Sequence, residues 1–300
     1  MKLPSFFFAT LLLLAFVSCS TAPARYEVVA DETMFEGYTV FYPKDLSAFP
    51  RKDKLPILVM SGPGCVKSAA PFRPFFEEMA ANGYLMIACG PLTMRAPEAP
   101  AADAPRPVMV QNTKEDMIAA IDWAFAENER KDSPFFGKID TRHVSVMGQS
   151  CGGILCLDIM TDPRITLLTM FNTGLFTAQP GQAFGSMGTV QSEPKEQVFS
   201  RLNVPIAYFV GGTDMARPNA TDDYPYINRV PAFLAVREIE GDAHAGTFRE
   251  ERGGAFGEAA VAWLDWNLKG RKDAAAKFLG KDNMFDSDPL WIEYKYKNVD

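Results

Sequence analysis

The chain has 300 residues, 47% of them hydrophobic and 22% charged, with 30 Lys plus Arg against 37 Asp plus Glu and a net charge of −7. That apolar content can fill one large core, which excludes disorder for most of the chain, and the acidic balance offers no basic footprint for the phosphates of DNA or RNA. Only two histidines occur, so any imidazole chemistry falls to His143 or His244.

Residues 1–18 carry one charge, Lys2, and an apolar run from Phe6 to Val17. The run is shorter than the roughly 20 residues a membrane-spanning helix needs, and it suits an export signal. It closes on Phe16-Val17-Ser18-Cys19, which resembles a bacterial lipobox with Phe16 where Leu is usual. The resemblance implies lipidation at Cys19, with the membrane reached only through the lipid; residues 20–25 have no apolar face, so 19–25 is the expected tether and 26–300 the expected single domain. The competing expectation is an ordinary cleaved signal and a secreted or periplasmic protein.

From Tyr26 to Tyr42 aromatic and β-branched residues mix with charges, as in half-exposed antiparallel strands. Leu55 to Met60 is a continuous apolar run closed by Ser61-Gly62-Pro63-Gly64, the pattern of a strand buried on both faces. Residues 71–82 place Phe72, Phe75, Phe76 and Met79 at helical spacing, and Tyr84 to Cys89 forms another short strand. Pro91 to Pro107, rich in Pro and Ala, can be neither helix nor central strand and predicts a long loop. Thr113 with Asp116 starts a helix that runs to about Asn128. Val144 to Met147 predicts a strand, Ser150 to Met160 a helix and Ile165 to Phe171 a strand. Residues 175–200 break the alternation, after which Pro205 to Val210 and Ala232 to Ile239 predict strands and Phe256 to Leu268 a helix. Such alternation predicts an α/β fold with a mostly parallel sheet and helices on both faces. The C-terminal residues 282–300, with Phe285, Trp291, Tyr294 and Tyr296, are expected to pack on the body.

Gly148-Gln149-Ser150-Cys151-Gly152 fits G-x-S-x-G, a nucleophile elbow. The pattern alone is weak, but this copy sits where the apolar strand Val144–Met147 meets an apolar helix, the placement an elbow requires. An elbow is followed in the chain by an acid and then a histidine. Gly212-Thr213-Asp214 follows one strand and Asp242-Ala243-His244 the next, so Asp214 and His244 are the expected partners. Asp222, Asp223 and Asp242 compete for the acid's place, Asp242 being the expected cap of its own loop. His143, beside Arg142 ahead of the elbow strand, is expected at the surface. An oxyanion hole needs two N–H groups, one from Cys151 and one from the turn after the first buried strand. Pro63 has no N–H, so Gly64 or Cys65 supplies the second. The same turn half matches a dinucleotide fingerprint, but Lys67 stands where its third Gly belongs. Cys65, Cys89, Cys151 and Cys156 are dispersed, contain no CxxC pair and do not form a disulfide framework. Cys89 and Cys156 read as buried thiols; the pairing of the four is left open, and neither a metal nor a cofactor is expected.

On these motifs residues 35–270 resemble the α/β-hydrolases, in the branch of dienelactone-hydrolase-like esterases, bacterial cutinases and polyester hydrolases. The resemblance rests on Pro63-Gly64-Cys65, Ala81-Asn82-Gly83-Tyr84, the 148–153 elbow, Gly212-Thr213-Asp214 and Asp242-Ala243-His244 ahead of Ala262-Trp263. It implies an α/β-hydrolase fold, a Ser150-Asp214-His244 triad and Cys65 as the second oxyanion donor. Two positions depart from polyester hydrolases: Gln149 replaces an aromatic before the nucleophile, and Asn172-Thr173-Gly174 stands where another aromatic is expected. The expected activity is cleavage of a small-molecule or glycan carboxylic ester through an acyl-enzyme. A serine peptidase or acyltransferase on the same triad, and a silent ligand-binding protein on this scaffold, are the alternatives. Residues 91–107 and 175–200 are expected to line the pocket, with Arg95, Arg106 and Arg217 as candidate anion contacts.

Overall fold

Residues 25–50, 53–92, 110–175 and 192–299 are described by a computed structural model. Residues 1–18, Cys19, most of the tether, Arg95, Arg106 and the segments 93–109 and 176–191 lie outside the described residues. The apolar runs form nine strands: β1 (Val28–Asp31), β2 (Thr39–Pro43), β3 (Leu55–Ser61), β4 (Leu85–Ala88), β5 (Ile139–Gln149), β6 (Leu167–Phe171), β7 (Ile206–Gly211), β8 (Ala232–Arg237) and β9 (Trp291–Lys297). They make one sheet in the order β1-β2-β4-β3-β5-β6-β7-β8-β9. The six inner strands from β4 to β8 are parallel, and β1, β2 and β9 add antiparallel edges.

Parallel strands need crossovers, and helices supply them while covering the sheet. One face carries α2 (Lys114–Glu129) and α3 (Cys151–Ile159) and the other α1 (Arg73–Ala81) and α6 (Gly254–Lys269); α4 (Lys195–Phe199), α5 (Arg217–Asp223), α7 (Lys272–Leu279) and α8 (Met284–Ser287) are shorter. Strand β3 shows why its sequence is apolar throughout. Leu55, Ile57 and Val59 join Met117, Ile121 and Ile154 in one core, while Leu58 and Met60 join Phe75, Met79 and Trp263 in the other. Each such side chain contributes about 1.5–3 kcal/mol on full burial. The start of α2 is a capping box: Thr113 Oγ1 accepts from Asp116 N–H, and Asp116 Oδ2 accepts from Thr113 N–H at 2.7 Å.

Two elements differ from the sequence reading. Strand β5 begins at Ile139 rather than Val144, its register against β3 shifting at Pro56/Ile57. His143 therefore lies within the strand, partly exposed, its Nδ1 2.8 Å from Asp140 Oδ2 and remote from the end that carries Ser150. The C-terminal segment does more than pack. Trp291–Lys297 pairs along the whole of β8 as an edge strand, and Phe285 stacks on Tyr294 with ring centroids 4.1 Å apart. Lys295 and Lys297 on it are charges of the kind that guard an exposed sheet edge. The short helices α4, α5, α7 and α8 carry too few periodic residues to be read from sequence.

Candidate active site

The C-terminal ends of β3, β5, β6, β7 and β8 all open on one edge of the sheet, where ligands of open α/β sheets bind. Ser150 occupies the single residue between β5 and α3 at φ 55° and ψ −121°, a conformation costing a non-glycine residue about 1–3 kcal/mol. Its N–H donates to Phe171 O at 3.1 Å, and Thr173 Oγ1 donates to its carbonyl at 2.7 Å, so β6 holds the turn from the side. The two flanking glycines answer to close approach. A Cβ on Gly148 would strike the backbone of Gly152, and one on Gly152 would strike the carbonyl oxygen of Ser61 at the end of β3.

Asp214 lies in the turn after β7 with its side chain fully buried, Oδ1 accepting from Ala216 N–H at 2.5 Å. His244 lies in the turn after β8. Its Nδ1 is 2.7 Å from Asp214 Oδ2 and its Nε2 3.0 Å from Ser150 Oγ. With Nδ1 donating to the carboxylate, the neutral imidazole has Nε2 left to accept from the serine hydroxyl. The hydrogen bond it donates to Asp214 raises the His244 pKa above the ordinary imidazole value; burial opposes it, and the charges of Asp214 and Asp242 add to the rise.

The other acids are engaged elsewhere. Asp242 caps the turn by accepting from His244 N–H at 3.1 Å. Asp222 pairs with Lys195 at 3.0 Å, and the buried Asp223 accepts from Leu175 N–H, Tyr208 OH and Lys195. Arg217 is also tied down, donating to Gly212 O and Glu293, which leaves it in the β7 turn's scaffold rather than free to meet an anion.

The departures at Gln149 and Asn172 acquire a use that the sequence did not reveal. Both side chains reach the main chain of the histidine turn: Gln149 Nε2 donates to His244 O at 2.7 Å, and Asn172 Nδ2 donates to Ala243 O at 2.8 Å and His244 O at 3.0 Å. Asn172 also accepts from Gly211 N–H at 2.8 Å, joining the acid-bearing turn to the histidine-bearing one. A run of three small or polar residues immediately after an apolar strand was the available signal.

The turn after β3 carries Gly64 at φ 60° and Cys65 at φ 54°. It is held by Asn112 N–H donating to Cys65 O at 2.5 Å, by Gln111 Nε2 donating to Gly64 O at 2.8 Å and by the Lys67–Asp116 ion pair at 2.7 Å. Cys151 opens α3, so helix geometry leaves its N–H without an intrahelical acceptor. Cys65 and Cys151 are joined by a disulfide with Cα atoms 5.2 Å apart, and Cys89 and Cys156 are free buried thiols.

A cavity of about 120 Å³ opens between Ser150, His244, Thr173, Met215 and Asn219. A larger groove of about 650 Å³ between α1, α6 and α7 contains neither Ser150 nor His244. Its charges satisfy one another, Glu78 with Arg25 and Arg252, and Asp265 with Arg271. Among the described residues no cluster of His, Cys, Asp and Glu is placed to hold a metal, and no helix is long and apolar enough to cross a membrane. No protein-family model and no curated protein matches the chain. The geometry itself can do one thing well: it sets a hydroxyl against an imidazole that is oriented by a buried carboxylate.

Proposed function

We propose that the chain is a serine hydrolase of the α/β-hydrolase type that cleaves carboxylic esters. The observation that carries this reading is the continuous hydrogen-bonded relay Ser150–His244–Asp214, formed by side chains from three separate strand ends. His244 Nε2 takes the Ser150 proton as Oγ attacks the ester carbonyl, and Asp214 holds the imidazolium that results. The N–H groups of Cys65 and Cys151 receive the developing oxyanion. The alcohol leaves with the proton from His244, and water then repeats the sequence to release the acid. The disulfide supports assembly in an oxidising compartment, in keeping with an export signal over residues 1–18 and a lipid at Cys19.

The test is hydrolysis of p-nitrophenyl acetate and butyrate, together with labelling by a fluorophosphonate. Both are expected in the parent protein and absent in Ser150→Ala. Turnover that survives the substitution overturns the mechanism.

A further inference from the structure

Cys65 and Cys151, whose N–H groups would receive the oxyanion, are the two residues that the chain joins covalently. We propose that the Cys65–Cys151 disulfide is a positioning element of the oxyanion hole, so that full esterase activity appears only after this bond has formed. The inference rests on the hydrolase reading and adds to it a dependence on oxidation.

The physical need is precision. Two N–H donors stabilise an oxyanion only when both lie about 2.7–3.1 Å from it, and losing one costs about 10²–10³-fold in kcat. Cys151 N–H is fixed by α3, whose own start is docked on the β3 turn through Gly152 N–H donating to Gly62 O at 3.2 Å. Cys65 N–H is less secure. It follows a left-handed Gly64 and is itself left-handed, where a side-chain-bearing residue costs about 1–2 kcal/mol over ordinary backbone. Relaxing Cys65 to negative φ would relieve that cost and turn its N–H away. Asn112 and Gln111 grip the carbonyl side of this turn. The disulfide grips the side-chain side and fixes it to the residue bearing the other donor.

The bond is also protected. Cys65 is fully buried and Cys151 is 3% exposed. Burial pushes the Cys89 and Cys156 thiols well above the ordinary cysteine range, which leaves almost no thiolate to attack the bridge. Formation is a two-electron exchange: the Cys65 and Cys151 thiols give up two protons and two electrons to a disulfide oxidant, which leaves as two thiols. Once the chain has closed around it, the bond is a permanent part of the site.

The experiment compares the oxidised parent, Cys65→Ala/Cys151→Ala and the control Cys156→Ala on p-nitrophenyl acetate, well below each variant's unfolding temperature. The double variant is expected to lose about 30-fold in kcat with KM changed less than about threefold, the split expected when only transition-state contacts are weakened; the control keeps parental kcat. A double variant that folds and retains parental kcat overturns the proposal and leaves the hydrolase reading intact. If the oxidised parent has no esterase activity, that reading falls and this one with it. A second measurement covers a double variant that does not fold. The reduced parent chain is refolded with oxidised glutathione while tryptophan fluorescence, free thiols and activity are followed. Fluorescence is expected to recover first and activity to follow thiol loss. Activity that precedes disulfide formation, or fluorescence and activity that both wait for it, makes the bridge a matter of stability alone and overturns the positioning role.

Discussion

Asn172 holds His244 by its main chain, donating from Nδ2 to the His244 carbonyl at 3.0 Å while its Oδ1 accepts from Gly211 N–H in the neighbouring turn. The imidazole therefore owes its position in part to a residue just after β6 whose side chain is hydrogen-bonded to neither Ser150 nor Asp214. Asn172 sits at φ 43°, a region Asn tolerates better than most residues with a side chain. Asn172→Ala strips Gly211 of its acceptor and two carbonyls of a donor, and is expected to cost about 2–3 kcal/mol of stability. A loss of about 10–100-fold in kcat should accompany it, by analogy with small displacements of a catalytic group. Urea denaturation and ester kinetics check the two effects, and unchanged kcat would remove Asn172 from the positioning of His244.

Gln149 shares the His244 carbonyl with Asn172, so the two should not behave independently. In a double-mutant cycle of Gln149→Ala and Asn172→Ala, the combined loss of stability should differ from the sum of the single losses by about 0.5 kcal/mol or more. Strict additivity would mean that the two donors act on separate parts of the structure.

On the proposed mechanism the pH dependence of turnover follows from His244. Only its neutral form can accept the Ser150 proton, and Asp214 raises its pKa above the ordinary value of 6.5. The acidic limb of kcat/KM should therefore have its midpoint above 6.5, with activity rising through that limb as pH increases. In Asp214→Asn the main cause of the rise is gone, leaving only the smaller effect of Asp242 against burial, so the limb moves to lower pH while kcat falls by about 10⁴-fold. The stability linkage has the opposite sense. The folded state holds this proton more tightly than the unfolded chain, so the contribution is complete below the unfolded pKa and is lost as pH rises through the folded one. A midpoint at or below 6.5 in the parent would contradict the arrangement.

Asp223 gives a second pH signature that does not involve catalysis. Burial pushes its carboxyl up to about 7 against the opposing pull of Lys195. Between the unfolded and folded pKa values the folded state binds the extra proton, so the parent should lose stability relative to Asp223→Asn as pH rises from about 4 to 7. The slope difference is at most about 1.4 kcal/mol per pH unit. Denaturant titrations at several pH values measure it, and parallel curves would refute it.

Gly152→Ala should be far more damaging to activity than Gly137→Ala. The first sets a Cβ against the carbonyl oxygen of Ser61, where neither backbone can yield without moving α3 and the N–H of Cys151. About 1–3 kcal/mol of overpacking is expected, with loss of most activity. Gly137 has a positive φ but open space around it, so its replacement costs about 1–2 kcal/mol from conformation alone and leaves kcat intact. Equal kinetics in the two variants would show that the α3 contact does not position the site.

The alternation of buried strands and amphipathic helices was legible because burial on both faces demands apolar residues at every position, as β3 shows. The elbow at Ser150 and the order of Asp214 and His244 were legible because each residue follows an apolar run, which places it at a strand end. Edge strand β9 was not, since it is only partly buried on either face and its mixture of aromatic and charged residues does not by itself say that it pairs with β8. Whether Asp214 or a neighbouring acid meets His244 was narrowed by the chain but decided by the fold, which turns Asp222 and Asp223 toward Lys195 and Asp242 toward its own turn. The joining of Cys65 to Cys151 and the grip of Gln149 and Asn172 on His244 belong wholly to tertiary structure. They link residues from different strand ends, and spacing along the chain records which turns follow which strands but not which side chains meet across them.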